Sequence, residues 1–559
     1  MTSPVRPFSA GVLAAALLVS LAVVAPTGGS GASPARVSAP RADAADVVEL
    51  LPLSTSSDHR IVDSKGRDVL LRGANVNSLG EYWQGVPSID PTLPVTDADW
   101  EEMAAHGFSV VRLLISWSKV EPTRGTFDQA YLDTVDEHVQ AAKAHGIYTV
   151  IDMHQDAYTA ALSTTDPATC PAGTTPAKGW DGAPAWAVLS DGLSTCLTGS
   201  DRNSSPAVNR AWNNFYDNVD GIRDEFVKAW KAVAAHFAGR PEVAGYDVLN
   251  EPENPRAAAD LQAVYEDFLA DSIAGIRDAE AGAPFEHLIL IEPALPAGDP
   301  TRGLVIPNPK AAGVDTKDIV ASVHNYSESI DNGLGLTIEG LNDLIDQLTA
   351  GMGVPDWGGE YGFWDTSAST LAKVERYAAD EDAHAWGGAW WQWRQSCGDP
   401  HAVQWSGGSV VAPTDVSTHL NKLQCPGNTD LGPTDEFLDA VGRGYPRATP
   451  GRITELRSDI ATGLMKVKAT ATEKGGQLVV WTPTAHDAAH PINTFGLTDV
   501  VEHDVAGGRI ITATVSVTGV YALWVGPVDE DLSKPAEEPA APGEPAAAVP
   551  VAGDPSFTG

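Results

Sequence analysis

Two glutamates stand at the ends of short apolar runs in this sequence. Glu251 closes the run in "YDVLNEP" (246–252), and Glu360 closes "VPDWGGE" (354–360). Such runs are typical of strands inside a parallel sheet, and α/β folds place their chemistry at the carboxyl ends of those strands. Two opposed carboxylates suit glycosidic cleavage, because one protonates the departing oxygen while the other attacks the anomeric carbon or activates a water. The alternatives are that both acids form salt bridges, or that Asn250 and Glu251 merely begin a loop and cap a helix.

Other polar and aromatic side chains stand on or just after the remaining apolar runs. They are Arg72, Asn75, Arg112, His154, Asp156, Asn250, His324, Tyr326, Trp390, Trp391 and Trp393. Strand ends of a barrel converge on one mouth, so these side chains are expected to be neighbours in space. Arg112 in a structural ion pair and His324 as a satisfied core histidine are the alternatives. Because side chains alternate along a strand, at least one of the two tryptophans flanking Trp391 is expected to pack outward.

Eight short apolar runs alternate with amphipathic helical stretches between residue 58 and about 395. The runs are 68–75, 108–116, 146–154, 243–250, 287–293, 318–325, 354–360 and 385–393. In the segment 127–146, Tyr131, Val135 and Val139 recur every four residues and Gly146 ends the helix. Eight alternations of strand and helix predict an α/β fold, the (β/α)8 TIM barrel. From about 449, short alternating runs between turn residues predict a C-terminal antiparallel β-sandwich domain.

The N-terminus has the arrangement of a secretory signal peptide, with Arg6 ahead of an apolar run at 10–25. That run is shorter than the ~20 residues of a spanning helix, so an uncleaved anchor is the less favoured alternative. We therefore predict a secreted protein with no transmembrane anchor in the mature chain. The predicted segments are a signal peptide (1–32), a low-complexity spacer (33–57), the catalytic barrel (58–448), the β-sandwich (449–527) and a Pro/Ala/Glu-rich disordered tail (528–559).

Four cysteines agree with an oxidising compartment. Cys170 and Cys196 lie in a polar insertion, 155–205, and Cys397 and Cys425 bracket another polar segment. Pairing of near neighbours is the simplest of three connectivities, and buried free thiols are the alternative. An insertion after a barrel strand lies on the catalytic face, so this one either shapes a cleft or is a plain surface loop.

Composition excludes some partners. With 36 Lys and Arg against 74 Asp and Glu, the net charge is −38, which repels a phosphate backbone and anionic lipid headgroups. Nucleic acid is therefore not expected as a partner. No Cys/His cluster indicates a zinc site, and neither a metal nor a cofactor is predicted. The 16 Trp offer faces that stack on sugars, although most tryptophans fill cores.

The strand-end motifs resemble those of a known enzyme family. "RGAN", "YDVLNEP", "SVHNY" and "WGGEYG" are similar to motifs of family five glycoside hydrolases, retaining enzymes whose acid/base and nucleophile follow strands four and seven. More narrowly, "RLLISWSKVEP", "DMHQDAY", "DGAPAWA" and "WWQWRQSCGDPH" resemble endoglycoceramidases of the actinobacterial type. Those enzymes release an intact oligosaccharide from ceramide, and the resemblance runs from about 58 to about 526.

The resemblance implies a role for each matching residue. Glu251 would be the acid/base and Glu360 the nucleophile, with Tyr326 beside Glu360 tuning its charge. Asn250 would bind the 2-hydroxyl of the sugar being cleaved, His154 and Asp156 would hydrogen-bond the first sugar, and Trp391 would form its stacking floor. His324 and Arg112 would orient the carboxylates. It also implies a monomer acting on glycosphingolipids in membranes or micelles, with the preferred glycan series left open.

Two other functions compete with this interpretation. One is an endo-β-glucanase, a mannanase or a steryl β-glucosidase of the same family, which would differ on the leaving-group side of the cleft. The other is a secreted glycolipid-binding protein without turnover. A pure binder has no use for an acid and a nucleophile on opposite strands, so the two glutamates favour an enzyme.

Overall fold

The structure, a computed structural model, describes residues 44–296, 299–310, 312–330, 335–484 and 490–528. The predicted signal peptide and all but the first residue of the predicted tail lie outside the described residues. Among the helices of the described segments, none is both long and apolar enough to cross a bilayer.

A closed barrel of eight parallel strands forms the centre of the protein. In chain order the strands are β1 (Arg72–Val76), β2 (Val110–Ser116), β3 (Tyr148–His154), β4 (Val243–Asp247), β5 (Leu288–Ile291), β6 (Ile319–His324), β7 (Asp356–Tyr361) and β8 (Gly388–Trp390). Each strand pairs with its neighbours in sequence, and β8 closes on β1. The predicted TIM barrel is confirmed, with every predicted apolar run overlapping one strand.

Helices follow the barrel strands along the chain. They are Asp97–Ala105, Trp117–Val120, Gln129–Ala144, Pro206–Tyr216, Ile222–Phe237, Ala258–Ala279, Ile338–Met352, Ala368–His384 and Asp435–Val441. In Gln129–Ala144, Val135 and Val139 are buried against the barrel. The Asp128 side chain accepts a hydrogen bond from the backbone N–H of Tyr131 and caps the helix. Gly146 follows its end at φ 71°, a conformation that glycine adopts without strain.

The C-terminal β-sandwich is confirmed as two sheets that share a core. The first sheet has seven strands: Leu53–Thr55, Ile61–Asp63, Arg67–Asp68, Tyr445–Pro450, Gln477–Pro483, Leu497–Val505 and Gly508–Val515. The second sheet has four: Arg452–Ser458, Met465–Ala471, Ile492–Phe495 and Gly519–Val525. Pairing within both sheets is antiparallel. Val480 and Ile511 from the first sheet pack in one buried cluster with Val467 and Leu523 from the second.

The structure corrects two predicted boundaries. The spacer predicted to reach residue 57 contains the strand Leu53–Thr55, because Leu53 is buried and the strand pairs with Ile61–Asp63. The boundary predicted after residue 448 falls inside Tyr445–Pro450, which pairs with Arg67–Asp68. The sandwich is therefore built from both sides of the barrel sequence. Its N-terminal strands were missed because they are only two or three residues long.

The sandwich packs against the end of the barrel where the strands begin. Tyr445 Oη donates to the carbonyl of Gly107, just before β2, over 2.8 Å. Arg447 donates to the carbonyl of Gly146, just before β3. Trp481 donates through Nε1 to Gly442 over 2.8 Å. These contacts lie at the opposite end of the barrel from the carboxyl ends, so the sandwich supports the barrel away from the predicted mouth.

Trp481→Ala is expected to destabilise the protein by about 3 to 5 kcal/mol. The side chain is fully buried, and it fills the space beside Gly107, where a Cβ would meet the indole at 2.1 Å. Chemical unfolding followed by tryptophan fluorescence and circular dichroism measures the loss. Val501→Ala, at a site 46% exposed, is the control and should change stability by less than about 0.5 kcal/mol. Equal stability of the two variants would contradict this role of Trp481.

Candidate active site

The two predicted glutamates meet at the carboxyl ends of the barrel strands. Glu251 follows β4 with a backbone φ of 37°, a conformation that costs a non-glycine residue free energy and is held by its surroundings. Glu360 lies on β7 and is 4% exposed. A carboxylate oxygen of one lies within 4.8 Å of a carboxylate oxygen of the other. This short separation fits direct attack by one carboxylate better than insertion of a water between them.

Arg112 on β2 lies among four carboxylates beneath the mouth. Its guanidinium is 2.9 Å from Glu360, 3.0 Å from Asp152, 3.0 Å from Asp247 and 3.1 Å from Glu292. Burial alone would lower the pKa of Arg112, but the carboxylates raise it well above its usual range. Arg112 is therefore the centre of a buried ion-pair cluster that includes Glu360, and its role in orienting the carboxylates stays a prediction.

Arg112→Met is expected to cost about 3 to 5 kcal/mol of folding free energy, because it leaves buried carboxylates without their cation. Urea unfolding at neutral pH measures the loss, and part of the stability should return at lower pH, where carboxyls take up protons. Arg210→Met is the matched control, because Arg210 forms an exposed pair with Asp191 and should matter little. A loss no larger than that of the control would contradict the proposed role of the ion-pair centre.

His324 at the end of β6 bridges the glutamates. Its Nδ1 lies 2.9 Å from Glu251 Oε1 and 3.5 Å from Glu360 Oε2, and its Nε2 lies 3.2 Å from Glu292. Burial opposes the charged ring, but the surrounding carboxylates raise the pKa of His324 well above its usual range. The surrounding acids thus favour the charged ring over a neutral core histidine.

Both oxygens of Glu360 accept hydrogen bonds from the protein. Arg112 donates to Oε1 over 2.9 Å, and Tyr326 Oη donates to Oε2 over 2.8 Å. Tyr326 in turn stacks on Trp364 with ring centroids 5.8 Å apart. These contacts fix the direction in which the carboxylate of Glu360 points into the mouth.

The two glutamates differ in proton affinity. Burial raises the pKa of Glu360, and the neighbouring cations His324 and Arg112 offset it only in part. Burial also acts on Glu251, but the hydrogen bond from His324 and the charge of Arg202 hold its pKa below the usual range. In this arrangement the proton prefers Glu360, which is the reverse of the order that an acid/base at Glu251 needs for the first step.

His154 and Trp391 form one wall of the mouth. Their rings are stacked with centroids 5.4 Å apart and planes 14° apart. His154 Nδ1 donates to Asp152 over 2.7 Å, and burial lowers the pKa of His154 to about 4, so the ring is neutral. Asn250 donates to His154 Nε2 over 3.4 Å and accepts from Arg112 over 3.1 Å. The wall thus combines an aromatic face with groups that bind hydroxyls.

Asp156 lies beside this wall and is paired with two cations. Arg202 contacts its Oδ1, and His401 Nε2 lies 3.2 Å from its Oδ2. Burial would raise the pKa of Asp156, but Arg202 and His401 lower it well below its usual range. Although burial opposes it, Asp399 and Asp156 raise the pKa of His401 to about 9.

The structure adds residues that the sequence analysis did not select. Glu292 follows β5, so the strand-end rule applied to that strand would have found it. Arg202 begins a short 3-10 helix in the insertion and His401 lies in a loop, and no local pattern marks either residue. Asp181 is fully buried, neither of its oxygens has a hydrogen-bond partner among the described residues, and its backbone forms a bridge with Asp156.

The tryptophans that flank Trp391 point away from the mouth. Trp390 packs against Tyr361 and Phe437 with centroids 5.3 and 4.7 Å away. Trp393 donates through Nε1 to Asp99 over 3.0 Å on an outer helix. The outward packing predicted for at least one of them holds for both, and Trp391 alone of the three lies beside His154.

Near-neighbour pairing of the four cysteines is confirmed. Cys170 pairs with Cys196, and Cys397 pairs with Cys425, with Cα atoms 5.7 and 5.5 Å apart. The first bridge lies in the predicted insertion, and Arg202 of that insertion contacts Glu251 over 3.0 Å. The insertion therefore contributes to the mouth and is more than a surface loop.

Two clusters among the described residues have the donor types of metal ligands. They are His154, Asp156 and Asp181, and Glu251, His324 and Glu360, each with donor atoms within 4.8 Å of one another. Arg202 already contacts the first cluster and Arg112 the second. A dication would add positive charge beside each guanidinium, so these clusters favour hydroxyl ligands over metals. The expectation of no metal and no cofactor stays a prediction.

Comparison with known proteins supports a glycosidase. The family model described as cellulase, glycosyl hydrolase family 5, matches residues 62–397. Endoglycoceramidase I of Rhodococcus hoagii strain 103S is 26% identical over 515 residues, covering 85% of this chain and 87% of that protein. An endoglycoceramidase of Cyanea nozakii is 29% identical over 232 residues, which are 37% of this chain and 43% of that protein.

Solved structures agree with the fold. A crystal structure of an endogalactoceramidase is 37% identical with a TM-score of 0.76, covering 85% of this chain and all of the other. Endo-glycoceramidase II from Rhodococcus sp. in complex with ganglioside GM3 has a TM-score of 0.58 at 24% identity, covering 84% of this chain and 99% of that one. At that identity the second likeness shows the fold alone.

Proposed function

The chain belongs to glycosyl hydrolase family 5 and is a glycoside hydrolase, and from this premise we propose that it is a retaining endo-β-glycosidase that cleaves glycosphingolipids between oligosaccharide and ceramide. The observation that carries the proposal is the glutamate pair, Glu251 and Glu360, with carboxylate oxygens within 4.8 Å at the barrel mouth. The glycolipid substrate is supported by similarity to endoglycoceramidase I across most of both chains and to the endogalactoceramidase structure.

In the first step Glu360 attacks the anomeric carbon of the sugar attached to ceramide. Glu251 gives its proton to the oxygen of the breaking bond, ceramide leaves, and a covalent glycosyl-enzyme remains. In the second step Glu251, now a base, takes a proton from water, whose oxygen attacks the same carbon and releases Glu360. Each step inverts the anomeric carbon, so the released glycan keeps the β configuration.

The surrounding residues orient the sugar and the carboxylates. Arg112 and Tyr326 aim Glu360, and His324 stabilises negative charge on either glutamate. Asn250 binds the 2-hydroxyl of the sugar being cleaved. Three residues complete the sugar site, with Trp391 as its floor and His154 and Asp156 as hydroxyl partners. The chemistry needs neither metal nor cofactor, because side chains supply the proton and the nucleophile.

The proposal extends to the whole chain. The protein is secreted through its N-terminal signal peptide (1–32) and acts as a monomer of the actinobacterial type. The two disulfide bonds support an oxidising destination. The catalytic barrel carries the activity, and the sandwich stabilises it from the opposite end.

Cleavage assays with product identification by mass test the function. The substrates are a ganglioside, lactosylceramide, a glycan of the 6-linked galactosylceramide series, a sterol glucoside and a soluble β-glucan. Free ceramide with an intact oligosaccharide is the expected result, and NMR of the fresh product should show the β anomer. Shortened glucan or free sterol with untouched glycolipids would replace the proposal by a glucanase or steryl glucosidase. Retention of glycolipid without any product would indicate a binding protein.

A further inference from the structure

Arg202 lies inside the mouth although it belongs to no barrel strand. One nitrogen of its guanidinium contacts Asp156 Oδ1 and also lies 3.0 Å from Glu251 Oε2. The guanidinium carbon is 4.9 Å from the centre of the Trp180 ring. The side chain is only 12% exposed. Arg202 therefore links the acid/base of the proposed mechanism to a residue of the proposed sugar site.

The insertion holds the backbone of Arg202 in place. Asp201 caps the short 3-10 helix Arg202–Ser204 by accepting from the N–H of Asn203 over 2.7 Å. Asn203 donates through its side chain to the buried carboxyl of Glu253. The Cys170–Cys196 disulfide closes the insertion six residues earlier. With the backbone fixed, a change of contacts at Arg202 takes place in its long side chain.

These contacts occupy atoms that the reaction needs. Glu251 Oε1 is 2.9 Å from His324, and Oε2 is held by Arg202. A general acid must point a protonated oxygen at the leaving group, but each oxygen of Glu251 contacts a cationic side chain, which favours the unprotonated carboxylate. Oδ1 of Asp156 likewise contacts Arg202, and His401 Nε2 lies 3.2 Å from Oδ2. A sugar hydroxyl that binds Oδ1 of Asp156 must therefore compete with Arg202.

We propose that Arg202 is a positioning residue that couples capture of the sugar to the acid step. A sugar hydroxyl replaces the guanidinium on Asp156, the guanidinium leaves Glu251, and Glu251 can then carry the proton for the departing oxygen. The inference rests on the proposed function, because it assigns Asp156 to the sugar and Glu251 to the proton. It explains why the pKa of Glu251 is lowered, while that of Glu360 is raised, when Arg202 contacts Glu251.

Electrostatics around Glu251 agree with this role. The charged and titratable groups that face it are His324, Arg202, Asp156, Glu292, Glu360, Glu253 and Tyr326. The carboxylates among them favour the protonated acid, and the cations oppose it. Among the described residues, Arg202 and His324 are the cationic side chains in direct contact with Glu251, and Arg202 also contacts Asp156. Its withdrawal raises the pKa of Glu251 in the direction that the first step requires.

The test is an NMR titration of the Glu251 carboxyl in protein labelled with ¹³C at glutamate side chains. Glu251→Gln assigns the signal, and lactose serves as the sugar probe. In Arg202→Gln the titration midpoint should lie roughly one pH unit higher than in the wild type. Lactose should raise the midpoint in the wild type and leave it almost unchanged in Arg202→Gln. Arg202→Lys, which keeps the charge, should stay close to the wild type.

Arg210→Gln, which alters an exposed arginine near the insertion, should behave as the wild type in every titration. Equal midpoints in Arg202→Gln and the wild type would overturn the contact. No lactose effect in the wild type, or the same effect in both proteins, would overturn the coupling. If Arg202→Gln does not fold, the wild type and Arg202→Lys still test the lactose effect. Glycolipid cleavage is measured in a separate assay. If the expected titration shifts occur but no glycolipid is cleaved, the proposed function is rejected, while the competition between sugar and Arg202 for Asp156 still stands.

Discussion

Glu360→Gln is expected to lower kcat for glycolipid cleavage by at least about a thousandfold. The amide has nearly the size and shape of the carboxylate, but it cannot form the covalent glycosyl-enzyme. Its oxygen can still accept from Arg112, which donates to Oε1 in the native protein over 2.9 Å. Binding of the substrate should therefore survive with a similar affinity. Turnover assays and binding of a fluorescent lactosylceramide measure the two quantities.

The control for this substitution is another buried glutamate. Glu280→Gln changes a carboxyl that contacts His287, at the end of the barrel where β5 begins. It should leave kcat unchanged. Both variants require the same circular dichroism spectrum as the wild type, so that lost activity reports chemistry. Normal turnover by Glu360→Gln would exclude this residue as the nucleophile.

Glu251→Ala is expected to slow cleavage of natural glycolipids by roughly 10² to 10⁴-fold. With a dinitrophenyl β-lactoside as substrate, the rate of the first step, formation of the glycosyl-enzyme, should be almost the same as in the wild type, because that leaving group departs without a proton. The second step should stay slow, since no base activates water. Azide, a nucleophile that needs no base, should restore turnover and give the β-configured glycosyl azide. Stopped-flow absorbance and product NMR measure these effects.

Glu360→Ala supplies the comparison that separates the two roles. A small anion that replaces the lost nucleophile attacks from the opposite face, so azide with Glu360→Ala should give the α-configured azide. If instead Glu251→Ala gives the α-configured azide and Glu360→Ala gives the β-configured azide, Glu251 is the nucleophile and the assigned roles are reversed. The pKa order makes this comparison necessary, because burial raises the pKa of Glu360 while cations lower that of Glu251.

The sequence was sufficient to predict the barrel and the position of both glutamates at its mouth. Strands such as Val110–Ser116 and Tyr148–His154 are buried along their entire length, so they appear as unbroken apolar runs. Residues at the ends of such runs are placed by the topology alone, which is why Glu251 and Glu360 were found. Glu292 was within reach of the same rule, since it directly follows Leu288–Ile291.

Other features depend on contacts between distant segments. Arg202 reaches Glu251 only because the insertion folds back over the mouth, and nothing near Arg202 in the sequence encodes that path. Leu53–Thr55 is too short to show a period, and it is a strand because Ile61–Asp63 lies beside it. The charge of His324 depends on three carboxylates from three different strand ends.

The sandwich has a practical consequence for attaching the protein to a surface. Strands from both sides of the barrel sequence, Leu53–Thr55 and Gly508–Val515, belong to one sheet behind the barrel. A linker fused before Leu53–Thr55 or after Gly519–Val525 would emerge on the side of the barrel opposite the mouth. Beads, electrodes or a cell wall coupled through such a linker would hold the protein with its mouth outward. Bulky substrate aggregates would then approach without steric hindrance from the support.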